Sequence, residues 1–263
     1  MTLALTYDAV LSRIRLAGTF LSPAVTAVFE RSTDGVSWTA VRGGLSVPVV
    51  SQNAAVDDYE FPAGEAVTYR LRGLDGFGAT LFTDTAAITQ DVDHAWLKVP
   101  AAPYLNRPVI VVDRSDVTRR ARRGLFDVVG RSNPVAVGDV ASSLAYTAQL
   151  MTSTAAEERD LDYLFASGEI VFLQLPSTAQ VMPEGYFSVG DTSRRPTLRT
   201  SARRLWDVPL VQVAAPGPEV VGSTYTWTSV LADYATWADL LADNATWADL
   251  LERVGSASDV IVP

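Results

Sequence analysis

The chain has 263 residues, 48% of them hydrophobic, and a net charge of −9, enough for one large domain or two ordinary ones with a tail. It has no cysteine, which excludes disulfides, thiolate metal sites and thiol catalysis together. Its 17 glycines and 14 prolines are spread evenly, so a packed core is expected and wholesale disorder is not. The start "MTLALTYDAV" has no basic stretch before an apolar run and does not read as a signal peptide. No apolar run approaches the roughly 20 residues of a membrane span, so a soluble product made in a cytoplasm is expected.

Residues 1–92 read as all-β. Apolar side chains alternate in "LSRIRLAGT", "TAVFERS", "SWTAVRG" and "VTYRLRGLD". The turn signals "TDGVS", "RGG" and "LDGFG" punctuate them, the pattern of a β-sandwich. The run "YEFPAGEAVTYRLRGLDGFG" resembles the fibronectin type III domain, with Tyr69 in the position of its corner tyrosine. That resemblance implies a spacer or an adhesive surface, and fold alone does not assign a function.

A boundary is expected near Asp93, where "QDVDHAWLKVPAAPYLNRP" brings Pro100, Pro103 and Pro108 into a linker or crossing strand. Residues 93–215 carry the strand-like runs "RPVIVVD", "GLFDVVG", "LAYTAQLMT", "EIVFLQLP", "GYFSVG" and "VPLVQVAAP". One helix is predicted among them at 154–166. Thr154 and Glu157 fit a capping box, Leu161, Leu164 and Phe165 share a face, and Gly168 ends it. Strands with a single packed helix point to a β-barrel or sandwich rather than an α/β enzyme.

From residue 216 a stiff "APGPE" hinge leads into one ten-residue unit written three times, starting at Thr226, Thr236 and Thr246. Each copy offers an N-cap threonine, and Trp237, Leu240 and Leu241 stand on one helical face. A ten-residue period leaves successive tryptophans about 80° apart around a helix, so short helices broken near Tyr234 and Asn244 are expected. Such units bury little alone. Trp227, Trp237, Leu240, Leu241, Trp247, Leu250 and Leu251 are therefore expected to dock on another protein chain, with packing on this chain's own barrel as the alternative.

Chemistry-bearing constellations are sparse. His94 lies beside Asp91 and Asp93, a set that could hold a metal, but the linker position favours a solvated reading. Asp57 with Asp58, or Glu157 with Glu158, could be acid/base pairs, yet adjacent acids more often mark solvated surface. No nucleophile elbow, zinc-binding helix or phosphate loop occurs, and no catalytic residue, metal or cofactor is expected.

Arginine is the strongest charged feature: 20 of the 21 cationic side chains are Arg, and Lys98 is the only Lys. Residues 1–92 hold 6 Arg against 10 acids (−4), residues 93–215 hold 14 basic groups against 13 (+1), and residues 216–263 hold one against 7 (−6). Arg114, Arg119, Arg120, Arg122 and Arg123 form one cluster. Arg194, Arg195, Arg199, Arg203 and Arg204 form another. Both are expected on loops that pair with acidic surfaces of neighbouring subunits, with an ordinary solvated loop as the alternative. Nucleic-acid phosphates are a weaker third reading, because the aromatics that would stack bases are missing.

The repeats "YATWADLLADNATWADLL" are similar to tandem units in minor tail proteins of long-tailed phages that infect actinobacteria. The run "VVDRSDVTRRARRGLFDVVGRSNPVAVGD…ERDLDYLFASGEIVFLQLP…GYFSVGD" resembles their tail-tip domains, related to the distal tail protein of the baseplate. The resemblance implies a mainly β fold: a fibronectin type III-like sandwich (1–92), a distal-tail-like barrel with a helix (93–215), and a hinge with helical repeats (216–263). It implies a structural virion protein of the tail tip, a homo-oligomer in a hexameric or trimeric ring. The tail tube, tail hub and tape measure are its implied partners, without specific nucleic-acid binding or membrane insertion. A receptor- or carbohydrate-binding tail module for host attachment is the alternative. The sandwich in front of the barrel departs from a minimal distal tail protein.

Overall fold

The computed structural model describes residues 2–20, 24–127, 129–130, 132–179, 182–198, 201–217 and 236–243. The fold is mainly β, with one main helix. The expected Arg199, Trp227, Trp247, Leu250 and Leu251 lie outside the described residues, as do the breaks near Tyr234 and Asn244.

Eight strands build the N-terminal part: β1 (Thr2–Asp8), β2 (Arg13–Thr19), β3 (Thr26–Ser32), β4 (Thr39–Ala40), β5 (Val47–Pro48), β6 (Asn53–Asp58), β7 (Ala66–Leu74) and β8 (Thr80–Thr89). One sheet has the order β1-β2-β6, the other β4-β3-β7-β8 with β5 also on β3. All these pairings are antiparallel. Alternation decides which side chains turn inward. Ile14 and Leu16 of β2 and Val67, Tyr69 and Leu71 of β7 are buried in one core with Phe20, Phe29, Val41 and Phe61. A core fed by the inner faces of two antiparallel sheets is a β-sandwich.

Two glycines let the sheets approach. A Cβ on Gly18 would lie 2.5 Å from Leu71 Cδ2, and one on Gly73 would lie 2.8 Å from Phe20 Cε1. Neither position has room for a side chain.

Ten further strands follow: β9 (Ala95–Lys98), β10 (Arg107–Arg114), β11 (Thr118–Arg119), β12 (Arg123–Phe126), β13 (Val135–Gly138), β14 (Leu144–Thr152), β15 (Val171–Gln174), β16 (Gly185–Val189), β17 (Ser193–Pro196) and β18 (Arg204–Gln212). Eight of them form a sheet in the order β11-β14-β10-β9-β15-β16-β18-β17. The further pairing of β14 with β18 closes six of its strands into a barrel. β12 and β13 stand apart as a sheet of their own.

The helix α1 (Ala155–Ala166) forms where the capping signals place it. Thr154 accepts the N–H of Glu157, and the Glu157 carboxylate accepts the N–H of Ser153 at 2.7 Å. Reciprocal caps of this kind satisfy donors that the first turn leaves open. Leu161 and Leu164 are buried, and Phe165 lies 5.7 Å from the Trp206 ring. Gly168, at φ 69°, ends the helix in the left-handed region.

The chain divides into two compact units. One comprises Met1–Pro108, Phe172–Val181 and Pro216–Pro263, the other Val109–Val171 and Met182–Ala215. These edges differ from the junction expected at 92/93. In the first unit the strand pair β9–β15 follows the sandwich, with Leu97 opposite Leu173. The short helix α2 (Trp237–Asp243), the middle Trp repeat, is also in that unit.

Candidate functional site

The first arginine cluster stands mainly on strands, where loops were expected. Arg114 ends β10, Arg119 lies on β11 and Arg123 opens β12. Arg120 and Arg122 connect them, and their carbonyls accept the N–H groups of Ser142 and Asp139. The run "GLFDVVG" was expected to join the barrel. Instead, Gly124–Phe126 is part of β12, which among the described residues pairs only with β13. Every described residue from 118 to 141 is exposed. The two strands are therefore an arm.

The register sorts its side chains. Phe126 faces Val135 and Gly124 faces Val137, so these four share one face. Arg123, Leu125, Ala136 and Gly138 share the other. Phe126 is 57% exposed and Val137 60%. A Cβ on Gly124 would sit 3.0 Å from Phe126 Cε2, which places the Phe126 ring across the glycine. A lone two-stranded hairpin is marginal in water, and this one bares apolar side chains on both faces.

Charge distinguishes the arm from the second cluster. Arg194 lies on β17 and reaches Asp162 at 3.0 Å and Glu158 at 3.5 Å, both on α1. Arg204, which opens β18, reaches the other oxygen of Glu158 at 3.5 Å. The two are thus neutralised within their own unit, by acids that spacing along the chain does not reveal. Arg195 and Arg203 are exposed. No such ion pair runs to Arg119, Arg120, Arg122 or Arg123 among the described residues. The arm therefore keeps positive charge beside apolar surface.

No protein-family model matches the chain, and no curated protein matches it.

The acid pairs considered above are used otherwise. Asp57 and Asp58 are adjacent on β6 but turn apart: Asp57 takes Arg13 at 2.7 Å, Asp58 takes Arg31 at 2.7 Å. Glu157 caps α1 and Glu158 holds Arg194 and Arg204. Asp91, beside His94, accepts both the hydroxyl and the N–H of Ser177. In the middle Trp repeat, Leu240 is buried, whereas Trp237 and Leu241 are exposed.

The sequence reading missed a buried polar network in the first unit. Asp58 accepts two contacts from Arg31, one from the Tyr69 hydroxyl at 2.9 Å and one from the N–H of Glu60. The expected corner tyrosine thus bonds a side-chain carboxylate. Glu60 in turn holds Arg42 at 3.0 Å. Lys98 of β9 is 1% exposed, and its Nζ donates to the Ser12 carbonyl at 2.6 Å, the Ser12 hydroxyl at 3.0 Å and the Tyr59 carbonyl at 2.7 Å. The sole lysine of an arginine-rich chain was its only signal. Its three acceptors fix β9 onto the end of the sandwich.

Burial pulls the Lys98 ammonium down to about 7, with Asp58 and Glu60 holding it back from falling further. The sign follows. Between pH 7 and its ordinary value of 10.5 the unfolded chain holds a proton that the folded chain has released, so stability rises with pH. The expected slope is at most about 1.4 kcal/mol per pH unit. It should reverse above pH 10, where burial keeps Tyr69 protonated only in the folded state. Urea denaturation at pH 7, 8 and 9 checks this, and Lys98→Met should flatten the slope. Stability that falls over that range would contradict it.

Proposed function

We propose that the protein is a non-catalytic structural component of a phage tail tip, assembling as a ring of identical subunits, hexameric in first choice, on which other tail proteins dock. The exposed arm of β12 and β13 carries this reading. It bares Leu125, Phe126 and Val137 beside four arginines that no carboxylate of the described residues neutralises. An arm of one copy seated on a different surface of the next is a heterologous contact, the kind that closes into rings. The acidic residues 216–263, at −6, supply charge of the opposite sign. The resemblance of the Trp repeats to those of actinobacterial phage tail proteins supports the same place for the chain, and a mainly β fold with a barrel and one main helix accords with a tail-tip domain.

The test is the mass of the purified protein by light scattering over a range of concentration, with particle images of the assembled fraction. Fully burying one such apolar side chain is worth about 1.5–3 kcal/mol. Phe126→Asp with Val137→Asp should therefore weaken self-association by about 100-fold or more and leave the melt unchanged. A wild type that stays monomeric throughout, or a double variant that still forms the ring, would overturn the reading.

A receptor- or glycan-binding role has one observation in its favour. Phe77 is 99% exposed at the turn between β7 and β8. Trp38, the other candidate platform, is covered on one side by the Arg70 guanidinium at 4.1 Å.

A further inference from the structure

Arg42 lies in the turn that follows β4, with a side chain only 11% exposed. Its Nε donates to both Glu60 oxygens, to Oε2 at 3.1 Å and Oε1 at 3.2 Å, and its Nη2 stands 3.0 Å from Oε1. Glu60 is itself 7% exposed, and its N–H is bonded to Asp58. The guanidinium is thus held from behind by a buried carboxylate that belongs to the sandwich network. Its forward edge meets two consecutive carbonyls, Pro216 at 3.2 Å from Nη2 and Gly217 at 2.5 Å from Nη1. These residues are the start of the hinge that leads into the Trp repeats.

The residue types suit a clamp. A guanidinium presents donors in a rigid plane, so one edge can be fixed while the other stays aimed. A proline has no N–H to offer, and Pro216 and Pro218 flank Gly217, so the hinge backbone is bonded here through its carbonyls. Residues 216–263 group with the sandwich, and α2, farther along the same segment, has Leu240 buried.

We propose that Arg42 is a clamp, positioned by Glu60, that fastens the root of the C-terminal repeat segment to the sandwich. The middle repeat, α2, is then kept with the first unit.

Hydrogen exchange of the full chain, followed by mass spectrometry, tests this in Arg42→Ala and Arg42→Lys. Losing charge-assisted bonds should raise exchange across α2, residues 237–243, by about tenfold or more in Arg42→Ala. Peptides from β2, β3 and β7 should keep wild-type protection. Arg42→Lys keeps the charge beside Glu60 but has no planar fork, so it should release the segment to a similar extent. Exchange of α2 at the wild-type rate in Arg42→Ala would overturn the proposal. If Arg42→Ala loses protection in the sandwich strands as well, Arg42→Lys decides: an intact sandwich with a released segment supports the clamp, and an intact sandwich with an unchanged segment refutes it. Loss of the sandwich in both variants would assign Arg42 to the fold of the sandwich and refute the clamp equally.

Discussion

Asp58→Ala is expected to destabilise the sandwich by about 3–5 kcal/mol, the range for removing one partner of a buried ion pair. The carboxylate is 1% exposed. It joins β3, β6 and β7 through Arg31, through its own place at the end of β6, and through the Tyr69 hydroxyl. Alanine would leave the Arg31 guanidinium without its carboxylate and the Tyr69 hydroxyl without an acceptor. Arg31 keeps 20% of its side chain in solvent, which places the loss toward the lower end of that range. Asp58→Asn keeps the shape and part of the bonding, so about 1–3 kcal/mol is expected there. Urea denaturation with circular dichroism measures both. A loss below about 1 kcal/mol in the alanine variant would mean that water serves Arg31 and Tyr69 as well as Asp58 does.

Elements with strong local patterns were legible in the sequence. The runs "LSRIRLAGT" and "LAYTAQLMT" became β2 and β14 because their apolar residues recur every second position and one face is buried, and "TAVFERS" became β3 with Ala27, Val28 and Phe29 all buried. The helix α1 was legible from both ends, since Thr154, Glu157 and Gly168 act on their immediate neighbours. What stayed hidden depends on distant partners. Alternation shows that "GLFDVVG" holds a strand but not which strand it pairs with, so its departure into an arm could not be read. β8, "TLFTDTAAIT", passed unnoticed because threonine and alanine give weak contrast on a strand that is nowhere fully buried.

The same limit governed the candidate site. Two clusters of arginines look alike along the chain, yet Arg194 is neutralised by Glu158 and Asp162, whereas Arg122 and Arg123 stand on an exposed arm. The difference lies in where α1 packs. Lys98 stands in the run read as a linker or crossing strand, but the polar atoms that hold it come from Ser12 and Tyr59. Residue type marked the positions. Only the fold assigned their partners.

Trp206→Ala is expected to cost the second unit about 3–5 kcal/mol, the usual loss for emptying a buried tryptophan site. Trp206 is 2% exposed on β18, where it stands opposite Leu150 of β14 and Arg194 of β17. Its Nε1–H donates to the Thr152 hydroxyl at 3.3 Å, a long bond that contributes little. The ring does more. Phe165 of α1 packs on it at 5.7 Å and the Arg194 guanidinium lies 5.3 Å from its centre. Alanine would therefore remove the surface on which the helix rests and one of the contacts that hold Arg194 in place. The Glu158 pairs with Arg194 and Arg204 would be left to exposed or half-exposed side chains, where such pairs contribute little. Trp206→Phe keeps an aromatic face for Phe165 and Arg194 and should cost clearly less, about 1–2 kcal/mol. Urea denaturation gives the stability loss, and exchange of the α1 amides shows whether the helix loosens with it. A fully protected α1 in the alanine variant would mean that Leu161 and Leu164, not the tryptophan, hold the helix to its unit.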